Sequence, residues 1–243
     1  MASPRHALLI PHLFHRICTW LLGIRLTVHR GAAPVRPLLL AANHCSWLDI
    51  VVLSAVMPVS FVAKSEVASW PGIGLLAKLQ RTIFVDRLRR SATGEMARKI
   101  GERLASGEAV VLFAEGTSSD HNRVLPFRSA LLGAAQEALA GTDTALVYVQ
   151  PVSIAYPRRH GLPLLRRDKP QIAWYGGMTM ANHLWNMLKQ DGPEAVISFG
   201  QPIPVMAGAD RKLVARRAET EVRAMTLRVT RARSPILLRG QTG

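Results

Sequence analysis

Asn43-His44-Cys45-Ser46-Trp47-Leu48-Asp49 carries the densest chemistry in the chain. Imidazole takes and gives protons near neutrality, and a carboxylate on its other ring nitrogen fixes the tautomer and stabilises the imidazolium once it forms. An apolar run from Leu38 ends abruptly at Asn43-His44, and an amphipathic stretch follows. The pattern predicts a buried strand over 38–41 that delivers His44 to its C-terminal edge. A helix over 47–56, stopped by Pro58, then returns Asp49 to that histidine. The same residues fit a helix start, because Ser46-x-x-Asp49 is a capping pattern. The two readings are compatible, since a cap also places Asp49 at the helix mouth. Cys45 opens a Cys/His nucleophile reading, against which stands its adjacency to His44. The H-E-x-x-H and paired C-x-x-C spacings of zinc sites do not occur in the sequence.

Two further stretches end apolar runs in polar groups. Ile83-Phe84-Val85-Asp86-Arg87 reads as a short buried strand with a guanidinium at its C-terminal end, where open α/β sheets form ligand crevices. Arginine grips phosphate bidentately; the plainer reading is an Asp86–Arg87 surface pair running on into Arg89-Arg90. Ala109 to Phe113 reads as a central strand entering Ala114-Glu115-Gly116-Thr117-Ser118-Ser119-Asp120. Glycine there allows close backbone approach, and Thr117 with its neighbouring N–H groups can donate to phosphate oxygens. Gly72-x-Gly74-x-x-Ala77 matches a dinucleotide fingerprint, but Trp70-Pro71 precedes it where a strand is required. A Pro-Gly turn leading into a buried helix is the better expectation.

In this order, these blocks resemble the glycerolipid acyltransferase family, best known for 1-acylglycerol-3-phosphate O-acyltransferases. His44 to Asp49 looks like its H-x-x-x-x-D signature, and Ile83 to Arg87 like its I-F-[VI]-D-R. Phe113 to Ser119 looks like its F-P-E-G-T-R-S, and Gln150-Pro151 lies in its short V-P-V region. Two positions depart from the pattern: Ala114 replaces proline, and Ser118 stands where enzymes acting on lysophosphatidate usually have arginine. Glu115 to Asp120 followed by Arg123-Val124-Leu125-Pro126-Phe127-Arg128-Ser129 is similar to a branch that includes lyso-ornithine lipid acyltransferases.

The resemblance implies O-acyl transfer from an acyl thioester to the free hydroxyl of a lysolipid. His44 would be the general base and Asp49 its orienting acid. Lys64, Arg87, Glu115, Gly116, Thr117 and Arg128 would contact substrate. The acyl donor would be an acyl-carrier-protein or coenzyme A thioester, with no metal and no other cofactor. The acceptor would be 1-acyl-sn-glycerol-3-phosphate, giving phosphatidic acid; the alternative acceptor is lyso-ornithine lipid. A hydrolase using the same pair with water, or a basic protein binding membrane or nucleic acid without catalysis, are the competing classes.

The elements positioning these groups follow from composition and periodicity. With 243 residues, 49% of them hydrophobic, the chain suits one α/β domain with a mixed central sheet flanked by helices. A formal net charge of +15 calls for an anionic partner: nucleic acid, an acidic carrier protein or the anionic face of a membrane. Aromatic residues make up only 6%, and RNA-binding or finger spacings do not occur, which argues against nucleic acid. Two cysteines give no disulfide framework.

Residues 1–30 read as a helical segment lying in a membrane interface, too interrupted by Pro11, Arg16 and Arg25 to span one. An ordinary helix packed on the domain is the alternative. The resemblance implies that residues 31–243 form an acyltransferase domain, with its motifs within 38–155, placed peripherally at the cytoplasmic face of the cell membrane. Further strands are expected over 60–63, 145–149, 152–155 and 195–200, and helices over 91–107, 129–140, 183–191 and 209–232. The last helix is basic and amphipathic, fit either for a membrane surface or for packing. Residues 156–169 read as a basic loop.

Overall fold

The computed structural model describes residues 6–31, 35–86, 92–140 and 146–231. In chain order these form α1 (Leu9–Leu21), β1 (Arg25–His29), β2 (Leu38–Ala42), α2 (Leu48–Val56), β3 (Ser60–Lys64), α3 (Ile73–Leu79), β4 (Ile83–Val85) and α4 (Ala92–Ala105). There follow β5 (Ala109–Phe113), α5 (Ser129–Ala140), β6 (Leu146–Arg159), β7 (Leu162–Pro163), α6 (Met180–Leu188), β8 (Pro193–Phe199), β9 (Ile203–Met206) and α7 (Arg211–Arg231). One mixed sheet runs in the order β1-β8-β6-β2-β5-β3-β4, with β7 and β9 also paired to β6. The strands β6, β2, β5, β3 and β4 are mutually parallel, so the C-terminal ends of β2, β5, β3 and β4 share one edge.

β2 is an unbroken apolar run because both of its faces are covered. Leu39 and Ala41 enter a core built with α4, α5 and α7, while Leu38, Leu40 and Ala42 enter a second core built with α2 and α6. α1 packs outside α2, and His12 Nδ1 lies 2.6 Å from the Ser54 carbonyl oxygen. No helix among the described residues is long and apolar enough to cross a membrane.

The expected strands over 38–41, 60–63 and 109–113 and the helices over 47–56 and 129–140 are present to within a residue or so. Four expectations are corrected. The helical reading of the N-terminal segment ends at Leu21: Gly23 adopts a φ of 64°, and the N–H groups of Leu22 and Gly23 close on Cys18 and Trp20. Arg25 to His29 then joins the sheet as an edge strand beside β8. The break at Gln150-Pro151 does not occur. Proline lacks a donor, yet its carbonyl accepts from Gly200 N–H at 2.8 Å, so β6 runs straight through. It continues to Arg159, which replaces the first part of the expected 156–169 loop. α3 is not a buried helix, since Leu75, Leu76 and Leu79 face outward; only Gly74 is enclosed, where a Cβ would stand 2.3 Å from the Ala68 carbonyl oxygen. The basic helix α7 packs Val214, Ala218 and Val222 into the core, as its packing reading expects.

Candidate active site

His44 leaves β2 at the shared C-terminal edge, and the chain turns at once into α2. That turn is closed by Asp49. Its Oδ2 accepts from His44 Nδ1 at 2.8 Å, from Cys45 N–H at 2.7 Å and from Ser46 N–H at 2.9 Å. Its Oδ1 accepts from the Tyr156 hydroxyl at 2.8 Å. One carboxylate therefore both closes the turn and contacts the histidine ring. The His44 ring stacks on Phe113 at the end of β5, with centroids 3.9 Å apart and planes 16° from parallel. Its backbone carbonyl accepts from Ser119 N–H at 2.9 Å, which draws the 114–120 turn alongside. With Nδ1–H given to Asp49, Nε2 carries the free lone pair, on a side chain 17% exposed.

Burial works against charge on Asp49. The hydrogen bond and charge of His44, with the N–H groups of Ser46 and Cys45, outweigh it and hold the carboxyl below its usual range. Cys45 is pushed well up by burial and by the Asp49 and Glu115 carboxyls. It stays a thiol, its sulfur 3.7 Å from Asp49 Oδ1, which removes it as a nucleophile. Tyr156 is pushed well up by burial and by Asp49, so its hydroxyl remains a donor. Glu115 is pushed up to about 8 by burial, with the Asp49 charge adding to it against the N–H groups of Leu125 and His44. His121 is pushed down to about 4, by burial first and then by Lys169. Among the described residues, no three His, Cys, Asp or Glu side chains group as a cation site.

Of the residues singled out from sequence, His44, Asp49, Glu115, Gly116, Thr117 and Arg128 converge on this edge. Glu115 is buried, and its Oε1 accepts from Leu125 N–H at 3.2 Å. Gly116 has a φ of 73°, and a Cβ there would stand 2.9 Å from Arg128 Nε; glycine lets the guanidinium lie across the turn. Arg128 Nε donates to the Glu115 carbonyl at 3.2 Å. Thr117 is exposed. Lys64 is exposed at the end of β3, two strands from His44. Arg87 lies outside the described residues.

Two contributors escape the motif reading, and Asn43 enters it without a role. Asn43 clamps β6: its Nδ2 donates to the Ile154 carbonyl and its Oδ1 accepts from Ile154 N–H, both at 2.8 Å. Tyr156, two residues further along β6, reaches Asp49. His121 Nε2 accepts from Tyr156 N–H at 3.2 Å. Only the polar interruption at Asn43 signalled anything locally; Tyr156 is distant in sequence and His121 sits among solvent-type residues.

Comparison with known proteins places the chain in a family. A family model described as Acyltransferase matches residues 25–155. A lyso-ornithine lipid O-acyltransferase of Brucella abortus (strain 2308) is 49% identical over 220 residues, covering 89% of this chain and 81% of that protein. Its counterpart in Rhizobium meliloti (strain 1021) is 44% identical over 232 residues, covering 96% and 80%. A 1-acyl-sn-glycerol-3-phosphate acyltransferase of Neisseria gonorrhoeae is 33% identical over 206 residues, covering 84% and 75%. The crystal structure of the 1-acyl-sn-glycerophosphate (LPA) acyltransferase PlsC from Thermotoga maritima superposes with a TM-score of 0.66 at 21% identity. It covers 94% of this chain and 81% of that one, and so shares the fold. With the motif residues, the family match and these relatives in agreement, the chain belongs to the Acyltransferase family and is an acyltransferase.

Proposed function

We propose that this acyltransferase moves an acyl group from a thioester to the free hydroxyl of a lyso-ornithine lipid, with His44 as general base. The observation that carries the chemistry is the His44–Asp49 contact of 2.8 Å behind a partly exposed Nε2. The acceptor hydroxyl passes its proton to Nε2 as its oxygen attacks the thioester carbonyl. The C–S bond then breaks, and the imidazolium returns the proton to the departing sulfur as the free thiol of carrier protein or coenzyme A. Asp49 stays a carboxylate throughout and stabilises the imidazolium. The Thr117 hydroxyl and the N–H groups of its turn serve the oxyanion. Arg128, with Lys64 and Arg87, serves the anionic groups of acceptor and donor.

Two observations favour ornithine over phosphate in the acceptor. The relatives at 49% and 44% identity are lyso-ornithine lipid acyltransferases. Ser118 occupies the place of an arginine usual in enzymes acting on lysophosphatidate. The 33% relative keeps 1-acyl-sn-glycerol-3-phosphate as the second reading. The acceptor is a lipid, and the proposed membrane side is the α1, α3 and α6 layer, where Ile10, Trp20, Leu79, Trp185 and Leu188 are all more than half exposed. Amphipathic helices with tryptophan at the edge rest in the headgroup region.

The test crosses labelled acyl-carrier-protein and acyl-coenzyme A donors with both lysolipids on purified protein in detergent. Diacylated ornithine lipid is the expected product, and His44→Ala should lower its rate by roughly a hundredfold to ten-thousandfold while melting like the parent. Phosphatidic acid alone would transfer the proposal to the second acceptor. Free fatty acid released without any lysolipid would replace transfer by hydrolysis.

A further inference from the structure

Among the described residues, the Tyr156 hydroxyl is the side-chain donor that reaches the Asp49 carboxylate from outside the 43–49 turn. We infer that Tyr156 is a positioning residue of the acyl-transfer reaction, holding Asp49 in the orientation that sets the tautomer and proton affinity of His44. This rests on His44 acting as the base.

The geometry is over-determined in a way that a tyrosine merely filling core would not need. The ring is fully buried, and its hydroxyl lies 2.8 Å from Oδ1, the oxygen that His44 does not use. Asp49 Oδ2 already takes three donors from its own turn. Without Tyr156, Oδ1 would keep only the thiol of Cys45 at 3.7 Å, a weak donor. A carboxylate anchored at one oxygen pivots about it; anchored at both, it is fixed in plane. The anchor is itself fixed. Asn43 grips both backbone groups of Ile154, which sets the register of β6 beside the turn. Two residues on, the same strand face presents Tyr156. Its backbone N–H is held by His121, whose ring packs edge-on at 5.5 Å. Asn43 and Tyr156 thus tie the turn to β6 at its start and at its acid.

Hydrogen bonding also spreads the carboxylate charge. Without the hydroxyl, that charge falls more fully on the imidazolium, so protonation of the base begins at higher pH. The other titratable groups facing the pair are Cys45 in the turn, Glu115 after β5, His121 beyond it, and the more distant Asp120 and Lys169. None is altered by the substitution.

The experiment is Tyr156→Phe, alone and in an Asp49→Asn background, assayed with the acceptor and donor that the wild-type enzyme turns over. The expected result is a fall in kcat of about tenfold, with KM for both substrates within about twofold and the acid limb of the kcat/KM profile moved to higher pH. In the Asp49→Asn background, Tyr156→Phe should add little further loss, because both changes act through one carboxylate. Incorporation of 3-fluorotyrosine at 156 keeps the shape and strengthens the donor, so the acid limb should move the opposite way; this arm decides if Tyr156→Phe fails to fold. A lowered Tm with kcat and pH profile unchanged would overturn the inference, as would full additivity in the double variant or an unmoved limb with fluorotyrosine. If wild-type enzyme turns over but His44→Ala retains its rate, the mechanism beneath fails rather than this inference alone.

Discussion

At the scale of single residues, burial pushes both acids of the site towards the neutral form, and hydrogen-bond donors decide which one stays charged. Asp49 and Glu115 are both buried beside the His44 turn, yet they move in opposite directions. Asp49 collects four strong donors; at Glu115 burial is opposed by the backbone N–H groups of Leu125 and His44, and among the described residues its Oε2 has no hydrogen-bond partner. A carboxyl raised to about 8 from 4.5 favours the folded state while protonated. That contribution is whole below about pH 4.5 and drains away as the pH climbs towards 8, because the unfolded chain has by then released a proton that the folded one keeps. Glu115→Gln, permanently neutral, should therefore melt several degrees above the wild type at pH 8, and the gap should close by about pH 5 in a thermal scan. His44, Asp49 and Glu115 were legible in the sequence because their chemistry is local: a polar break at a strand end and a short return. Nothing local revealed that Glu115 would be neutral, since that depends on which donors reach it from other elements.

At the scale of elements, β6 organises the site more than its sequence suggests. It pairs with β2, β8 and β9, passes through Pro151 without breaking, and carries Ile154 and Tyr156 to the 43–49 turn. Proline argues against an interior strand, and the following basic residues look solvated, so the sequence reads as two short strands and a loop. Side-chain satisfaction by Asn43 and Gln150 makes one strand instead. Asn43→Ala should leave the N–H and carbonyl of Ile154 buried and unmatched. That costs about 3 kcal/mol, read as a Tm lower by roughly 9 °C. The edge strand β1 was missed for a related reason. The alternation in Arg25-Leu26-Thr27-Val28-His29 is real, but it abuts an apolar helix and only β8 gives it a partner.

For the whole molecule, the two faces of the sheet differ in what they leave exposed. α4, α5 and α7 seal one core, and the basic surface of α7 faces away from it. α2 and α6 seal the other, while α1, α3 and α6 keep leucines and tryptophans outward, with Lys189 stacked 4.9 Å over the Trp185 ring. If that layer is the proposed membrane side, Trp185→Ala with Leu188→Ala should weaken partition to anionic vesicles by roughly tenfold. Soluble-substrate turnover in detergent should stay unchanged, and sedimentation with vesicles reads the difference. Added salt should weaken binding of both proteins, since the +15 net charge supplies the long-range attraction. The class of fold and the family were legible from the spaced blocks. The location of the apolar layer was not, because α3 and α6 are short and their exposure is decided by what packs beneath them.

The tie between Tyr156 and Asp49 joins positions 107 residues apart. All of the recognisable blocks up to Arg128 emerge from the ribosome before that tie can form. A truncated chain bearing every one of them would still lack the hydroxyl that anchors Asp49 Oδ1, so the 43–49 turn is completed only once β6 has been made.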